Sequence, residues 1–79
     1  MHLKLIGSDC SNGIKIIKNI KKAEKDLKMK INVEEVPISL KEKYNIKVVP
    51  TLIIDGKKVF EGFVPTEKEL IRKLKEINV

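Results

Sequence analysis

The chain begins with alternating polar and apolar residues and changes to helical spacing after about residue 10. Alternation over His2–Ile6 places Leu3 and Leu5 on one side, which predicts a short β-strand. From Ser11 or Asn12 onward the apolar residues recur three and four positions apart, which predicts an amphipathic helix. Either residue could cap this helix by accepting a hydrogen bond from a free backbone N–H. The apolar stripe consists of Ile16, Ile17, Ile20, Ala23 and Leu27.

A second strand and a short helix are predicted in the middle of the chain. Alternation over Lys30–Val36 predicts the strand, and a proline at the next position ends it. Ser39 and Glu42 have the spacing of a capping box, which predicts a short helix from about Leu40 to Tyr44. Asn45 follows, and asparagine tolerates the left-handed backbone that often ends a helix.

The last third of the chain predicts a β-hairpin and a C-terminal helix. The β-branched run Thr51–Ile54 and the strand Val59–Glu61 flank Asp55-Gly56, a strong signal for a tight hairpin turn. Thr66 and Glu69 form another capping box, which predicts the start of a helix. The apolar stripe of that helix consists of Leu70, Ile71, Leu74 and Ile77.

This element order, β-α-β-α-β-β-α, predicts one α/β domain over residues 1–79. The first strand–helix–strand unit should link parallel neighbours. The continuous apolar run Thr51–Ile54 is typical of a central strand covered on both faces. We therefore expect a three-layer sandwich in which a mixed four-stranded sheet lies between three helices.

Composition restricts the class of protein. With 79 residues, 42% hydrophobic and 35% charged, the chain is typical of one soluble globular domain. It has no apolar run near the roughly 20 residues of a membrane span, and its first residues do not resemble a signal peptide. A single cysteine excludes an internal disulfide and favours a cytoplasmic location. Abundant Lys, Glu and Ile without Gln is typical of thermophiles.

The formal net charge of +6 raises the question of nucleic-acid binding. Much of the excess lies in the first predicted helix, and a solvated helix face is the favoured interpretation. Proteins that bind single-stranded nucleic acid combine basic residues with aromatic side chains on which bases stack. The first predicted helix has no aromatic residue. We therefore expect no nucleic-acid partner and no membrane partner. The lysines are Lys15, Lys18, Lys21, Lys22, Lys25 and Lys28.

Cys10 lies between the first predicted strand and the first predicted helix. Free N–H groups and the positive end of the helix dipole would face its thiol and favour the thiolate, which is the nucleophile. Asp9 opposes this with a neighbouring negative charge. The helix terminus should dominate, since the Asp9 side chain can turn to solvent. A reactive thiol is therefore favoured over the alternative, a small structural residue.

Pro50 lies at the start of the predicted hairpin, within Val49-Pro50-Thr51. Proline cannot donate to a sheet ladder and is tolerated at the first residue of a strand. Residue chemistry alone favours an ordinary trans proline at this boundary, because only about one X–Pro bond in twenty is cis.

The element order, the loop "GSDCSNG", the segment "VVPT" and the hairpin "IIDGKKVFEG" together resemble the thioredoxin-like fold. More closely, the chain resembles the small archaeal and bacterial thioredoxin/glutaredoxin-like proteins called redox-active disulfide proteins, over essentially all of its length. In that family the loop reads G-x-x-C-x-x-C. Gly7 and Cys10 match the leading glycine and the attacking cysteine, whereas Gly13 stands where the resolving cysteine would be.

The resemblance also implies a binding groove beside the thiol. Pro50 would be cis and lie against the active-site loop, leaving the backbone of Val49 free to pair with an extended substrate. Gly62 corresponds to a glycine lining the same groove, and Thr51 continues it. The remaining residues of the active-site loop are Ser8, Asp9, Ser11 and Asn12.

Without a second cysteine, Cys10 could form a mixed disulfide but would need an external thiol reductant to release it. This is the situation in monothiol glutaredoxins, some of which hold an iron–sulfur cluster between two subunits. Here one cysteine and His2 are too few to hold a metal, so we expect no metal and no cofactor. The expected partner is a disulfide-bearing protein or a low-molecular-weight disulfide. The chain should be a monomer that can form a Cys10–Cys10 dimer when oxidised.

Two other functions stay open at this point. One is a non-catalytic binding module that keeps the groove around Pro50, and the other is an adaptor with a basic surface. Replacing Gly13 by cysteine is expected to restore a dithiol centre, because Cα atoms three apart in a helix lie roughly 5–5.5 Å from each other. That separation is within the disulfide range of about 4.4–6.8 Å. Only a positive φ at Gly13 would oppose the change.

Overall fold

Four strands and three helices follow one another in the computed structural model, which describes residues 1–77. The strands are β1 (His2–Ile6), β2 (Asn32–Val36), β3 (Thr51–Ile54) and β4 (Lys57–Glu61). The α-helices are α1 (Ser11–Leu27) and α2 (Glu67–Ile77), and a 3₁₀ helix spans Ile38–Tyr44. The predicted order is confirmed. Among residues 1–77, no helix is both long and apolar enough to cross a bilayer.

The short helix predicted from about Leu40 to Tyr44 is present, but its predicted start and cap are wrong. The segment is a 3₁₀ helix that already begins at Ile38, and Pro37 occupies its N-cap position with extended backbone (φ −69°, ψ 158°). The chain therefore enters the helix directly from the proline, and Ser39 lies inside the first turn, where it makes no capping hydrogen bond. The predicted stop is confirmed, since Asn45 has φ 58°.

The sheet is mixed and has the strand order β2-β1-β3-β4. β1 pairs with β2 in parallel, whereas the pairs β1–β3 and β3–β4 are antiparallel. β2 starts two residues later than predicted, at Asn32, and β4 starts two residues earlier, at Lys57. Asp55 and Gly56 have φ 47° and 86°, as a tight primed turn requires. The hairpin prediction is thus confirmed.

Both faces of the sheet are covered at the end where β1 leads into the cysteine loop. Leu5 and Ile6 are adjacent in sequence and point to opposite faces, yet both are 0% exposed. The larger cluster lies between the sheet, α1 and α2, and the smaller one lies on the opposite face with Tyr44 of the 3₁₀ helix. Full burial of each such side chain contributes about 1.5–3 kcal/mol. The smaller cluster consists of Ile6, Val36, Ile46 and Ile53.

The second capping box forms as predicted. The Thr66 hydroxyl oxygen accepts a hydrogen bond from the N–H of Glu69, and the Glu69 carboxylate accepts one from the N–H of Thr66, both at 3.1 Å. The Asn19 amide donates to the Pro65 carbonyl at 2.9 Å, which ties the start of α2 to α1.

Candidate functional site

Cys10 is itself the N-cap residue of α1. Its backbone is extended (φ −94°, ψ 162°), and its sulfur accepts a hydrogen bond from the N–H of Gly13 at 3.3 Å. The prediction that Ser11 or Asn12 caps this helix is therefore wrong, and both residues lie exposed in its first turn. Cysteine is not among the preferred N-cap residues, so capping propensity could not identify it. The half-buried sulfur faces the helix terminus, as the predicted thiol chemistry requires.

The carbonyl oxygen of Gly7 is the second partner of the thiol. It lies 2.9 Å from the Cys10 sulfur, which donates to it, and 3.1 Å from the Cys10 amide nitrogen, which also donates to it. The two hydrogen bonds of the sulfur favour different states. The bond to the Gly7 oxygen exists only for the thiol, whereas the bond from Gly13 is stronger when the acceptor carries a charge.

Asp9 does not turn freely to solvent, although its side chain is exposed. Its carboxylate accepts a hydrogen bond from the N–H of Ile38 at 3.1 Å. Ile38 is the first residue of the 3₁₀ helix, so Asp9 ties the cysteine loop to the helix on the other face of the sheet. Gly7 and Ser8 strengthen this attachment, because both donate to the carbonyl of Val36, at 2.7 and 3.2 Å.

Gly13 has no room for a side chain. A β-carbon there would overlap the Gly7 carbonyl oxygen and lie 2.9 Å from the Cα of Ser8, well inside ordinary carbon–carbon contact of about 3.5–4.0 Å. Gly13 has an ordinary helical backbone, so a positive φ is not the obstacle. The expectation that Gly13→Cys fits this loop is therefore wrong, because the preceding loop fills the space that a cysteine would need.

The cysteine loop and the Val49–Pro50 segment meet at Gly7. The Val49–Pro50 bond is cis, as the resemblance implies. Gly7 has φ 91°, and a β-carbon on it would lie only 3.2 Å from the Cβ of Val49. Glycine is thus required both by the backbone conformation and by the close approach of Val49. The structure brings together the two segments that the sequence singled out.

Pro50 and Thr51 are buried next to this surface. Both side chains are less than 2% exposed, whereas Val49 is half-buried and Gly62 is exposed. Thr51 begins the buried strand β3, and its hydroxyl donates to the carbonyl of Val48 at 2.7 Å. Gly62 donates to the carbonyl of Pro50 at 2.8 Å. The side chain of Val48 lies next to the exposed Gly62, since a β-carbon on that glycine would lie 3.5 Å from a Val48 methyl.

Three exposed apolar side chains next to these residues were not identified from the sequence. Ile14, Val48 and Phe63 are 51%, 47% and 47% exposed. Ile14 lies one turn after Cys10, Val48 precedes Val49, and Phe63 follows Gly62 and packs edge to face on Phe60, with ring centroids 5.7 Å apart. They lie outside every predicted core stripe, and this position could have identified them as exposed apolar residues from the sequence. Together they give the surroundings of the thiol loop an apolar character suited to a partner.

His2 lies away from this site. It is exposed at the first residue of β1, where its N–H donates to Asp55, whereas Cys10 follows the other end of the same strand. Five strand residues separate the two ends by roughly 13 Å or more. Among residues 1–77, no group of three or more His, Cys, Asp or Glu side chains could hold a metal ion.

Comparison with known proteins agrees with this architecture. The family model for the thioredoxin domain matches residues 1–75. No curated protein matches the chain at a significant level. Among solved structures, the chain is similar to malaria parasite thioredoxin-2, a component of that parasite's protein secretion machinery, with a TM-score of 0.70 and 19% identity. The match covers 95% of this chain and 81% of the other. At this identity the likeness shows the fold, a thioredoxin-like α/β sandwich with a mixed four-stranded sheet.

Proposed function

The chain belongs to the thioredoxin domain family, and from this premise we propose that it carries out monothiol thiol–disulfide exchange through Cys10. One observation carries the proposal. The only cysteine of the chain is the N-cap of α1, with its half-buried sulfur accepting the N–H of Gly13 at 3.3 Å. Thiolates are stabilised at helix N-termini because free N–H groups and the helix dipole face them.

The proposed reaction has two exchange steps. The Cys10 thiolate attacks one sulfur of a partner disulfide, the disulfide bond breaks, and the other partner sulfur leaves as a thiolate that takes up a proton. A mixed disulfide between Cys10 and the partner remains. An external thiol then attacks this bond, regenerates Cys10 and keeps the partner sulfur in its own mixed disulfide. In the cytoplasm, the location we propose, small thiols could serve as this reductant.

The packing at Gly13 supports the monothiol form of the reaction. A resolving cysteine one turn after the attacking one would need the space that the Gly7 carbonyl fills. The loop thus favours glycine at this position, which supports release of the mixed disulfide by an external thiol and not by an internal one.

Val49 provides a means of holding the partner. Within residues 1–77 neither its N–H nor its C=O takes part in a backbone hydrogen bond. An extended partner segment could pair with these groups as an added strand. Val49 is in close approach to Gly7, whose carbonyl contacts the thiol, so a segment paired there would lie beside the sulfur.

The Gly7 carbonyl favours a second candidate function, a binding module without redox turnover. Its oxygen lies 2.9 Å from the sulfur and accepts a hydrogen bond that only the thiol, the less reactive form of cysteine, can donate. Such a module would use the same groove at Val49 and Gly62. Cys10 would then serve only as the cap of α1.

Intact mass spectrometry separates the two functions. We expect reduced protein incubated with oxidised glutathione to gain one glutathione, and excess dithiothreitol to remove it. Cys10→Ser is the control that should gain nothing. Unmodified protein after prolonged incubation would rule out exchange and leave the binding module.

A further inference from the structure

One line of exposed side chains runs along α1 from the thiol. Starting at Cys10, the next positions on the same face follow at spacings of four, four, three and four, which keeps them above one another on a helix. All are exposed, and Ile14 is 51% exposed. We call these residues the α1 stripe: Ile14, Lys18, Lys21 and Lys25.

The lysines of the α1 stripe have no carboxylate partner among residues 1–77, where Lys73–Glu76 is the one ion pair found. α1 carries two acidic residues, and Glu24 uses its carboxylate to accept the N–H of Ile31 at 2.6 Å. Asp26 shares a shallow surface with Lys22 and Lys25 of its own helix and with Glu67 of α2, but it forms no ion pair with either lysine. Among the described residues no carboxylate therefore lies within ion-pair distance of these lysines, and the stripe is a row of exposed positive charge that leads to the thiol.

We propose that the α1 stripe docks an acidic segment of the disulfide-bearing protein that Cys10 attacks. The inference rests on the proposed exchange function and names the class of its partner. Charge complementarity selects this occupant, because carboxylates would supply the partners that the lysines lack. Ile14, between the thiol and the lysines, would contact an apolar residue of the same segment. Single-stranded nucleic acid fits less well, because the stripe contains no aromatic side chain for stacking.

Helix geometry gives the spacing of the partner's acidic residues. With a rise of about 1.5 Å per residue, Lys18 and Lys25 lie roughly 12 and 22 Å along the helix from Cys10. An extended peptide advances about 3.3 Å per residue. The carboxylates should therefore lie about four to seven residues from the partner's reacting cysteine.

The test uses three peptides whose cysteine is joined by a disulfide to 2-nitro-5-thiobenzoate. They are identical except that positions four to seven from the cysteine are Glu, Gln or Lys. Attack by the Cys10 thiolate on the peptide sulfur breaks this disulfide and releases the coloured nitrothiobenzoate. At low ionic strength we expect the Glu peptide to react about tenfold faster than the Gln peptide, because complementary charge accelerates association. The difference should vanish near 1 M salt, where the screening length is about 3 Å.

Two matched variants locate the effect. Replacing Lys18, Lys21 and Lys25 together by Gln should abolish the preference for the Glu peptide and leave the reaction with the Gln peptide unchanged. Replacing the exposed lysines Lys57, Lys68 and Lys75 by Gln removes the same charge elsewhere and should leave the preference intact. Equal loss in both variants, or no preference in the parent, would overturn the docking inference.

A binding measurement separates this inference from the exchange function. The Glu peptide with serine in place of cysteine should shift the NMR signals of the α1 stripe and leave those of Lys57 and Lys75 unchanged. If Cys10 reacts with no disulfide but these shifts appear, the exchange function fails, and what stands is that the α1 stripe docks an acidic segment. If all three peptides react at one rate and no shifts appear, the docking inference fails and exchange stands. Tighter binding of a single-stranded oligonucleotide of equal charge to the stripe would overturn the assignment of an acidic protein.

Discussion

The carbonyl oxygen of Gly7 occupies the space that a side chain on Gly13 would need. The same oxygen accepts hydrogen bonds from the Cys10 amide and the Cys10 thiol. The Gly7 carbonyl therefore contacts both the capping thiol of Cys10 and the space beside Gly13, one turn later in α1. This relationship decides which substitutions the loop can tolerate.

Gly13→Ala should destabilise the protein, although alanine favours helices over glycine by about 1 kcal/mol. Overpacking against a backbone carbonyl costs about 1–3 kcal/mol, and the severe overlap here places the net loss of unfolding free energy at about 1–2 kcal/mol. Denaturant unfolding measures it. The control is Asn12→Ala in the same turn, which is exposed and should change stability by about 0.5 kcal/mol or less. A Gly13→Ala protein as stable as the parent would contradict the packing at Gly7.

Gly13→Cys should not create a redox centre. The new side chain meets the same carbonyl, so we expect a loss of stability at least as large as that of Gly13→Ala. Both thiols should stay titratable with a thiol reagent after mild oxidation of the folded monomer. Formation of an internal disulfide in a variant of parental stability would show that the loop accepts the dithiol geometry after all.

The sequence predicted the elements whose evidence is local. The alternation in β1 and the apolar run in β3 predicted the bounds that these strands have. Asp55-Gly56 forms the predicted hairpin turn, and Thr66 forms the predicted helix cap. The start of the short helix was predicted two residues too late, because the Ser39–Glu42 spacing is a weak signal beside Pro37. The proline fixes where the chain enters the helix.

The errors at the site have a different physical origin. Whether residue 13 can carry a side chain depends on where Gly7 and Ser8 fold back onto α1, and no local pattern encodes that contact. The burial of Pro50 likewise depends on tertiary contacts, since its carbonyl accepts a hydrogen bond from Gly62 on the far side of the hairpin. Sequence spacing located Cys10 and its helix, whereas tertiary packing determined what surrounds the sulfur.

Asp9→Asn should increase the reactivity of Cys10. The amide oxygen can still accept the N–H of Ile38, so the loop should stay attached to the 3₁₀ helix. Removal of the neighbouring negative charge favours the thiolate. We expect the alkylation rate with the neutral reagent iodoacetamide to rise about twofold to threefold at low salt, and this gain to shrink in high salt. A slower reaction with unchanged stability would show that Asp9 assists the thiol.

Thr51→Val should test the hydrogen bond that ties β3 to the segment before Pro50. The substitution preserves the shape of the buried side chain and removes the hydroxyl that donates to Val48 at 2.7 Å. Loss of such a part-buried hydrogen bond costs about 0.5–1.5 kcal/mol. Thr51→Ser retains the donor and is the control. Denaturant unfolding should show a clear loss for Thr51→Val and a smaller one for Thr51→Ser, and the reverse order would contradict this role of the hydroxyl.

The most direct test of the central claim compares Cys10 with itself in folded and unfolded protein. The rate constant for its exchange with hydroxyethyl disulfide, a neutral small disulfide, is measured at neutral pH with and without denaturant, using free cysteine to correct for the denaturant. If the end of α1 activates the thiol, the folded protein should react about tenfold faster than the unfolded chain. An equal or slower rate in the folded protein would show that the Gly7 carbonyl dominates, and it would contradict monothiol exchange in favour of the binding module.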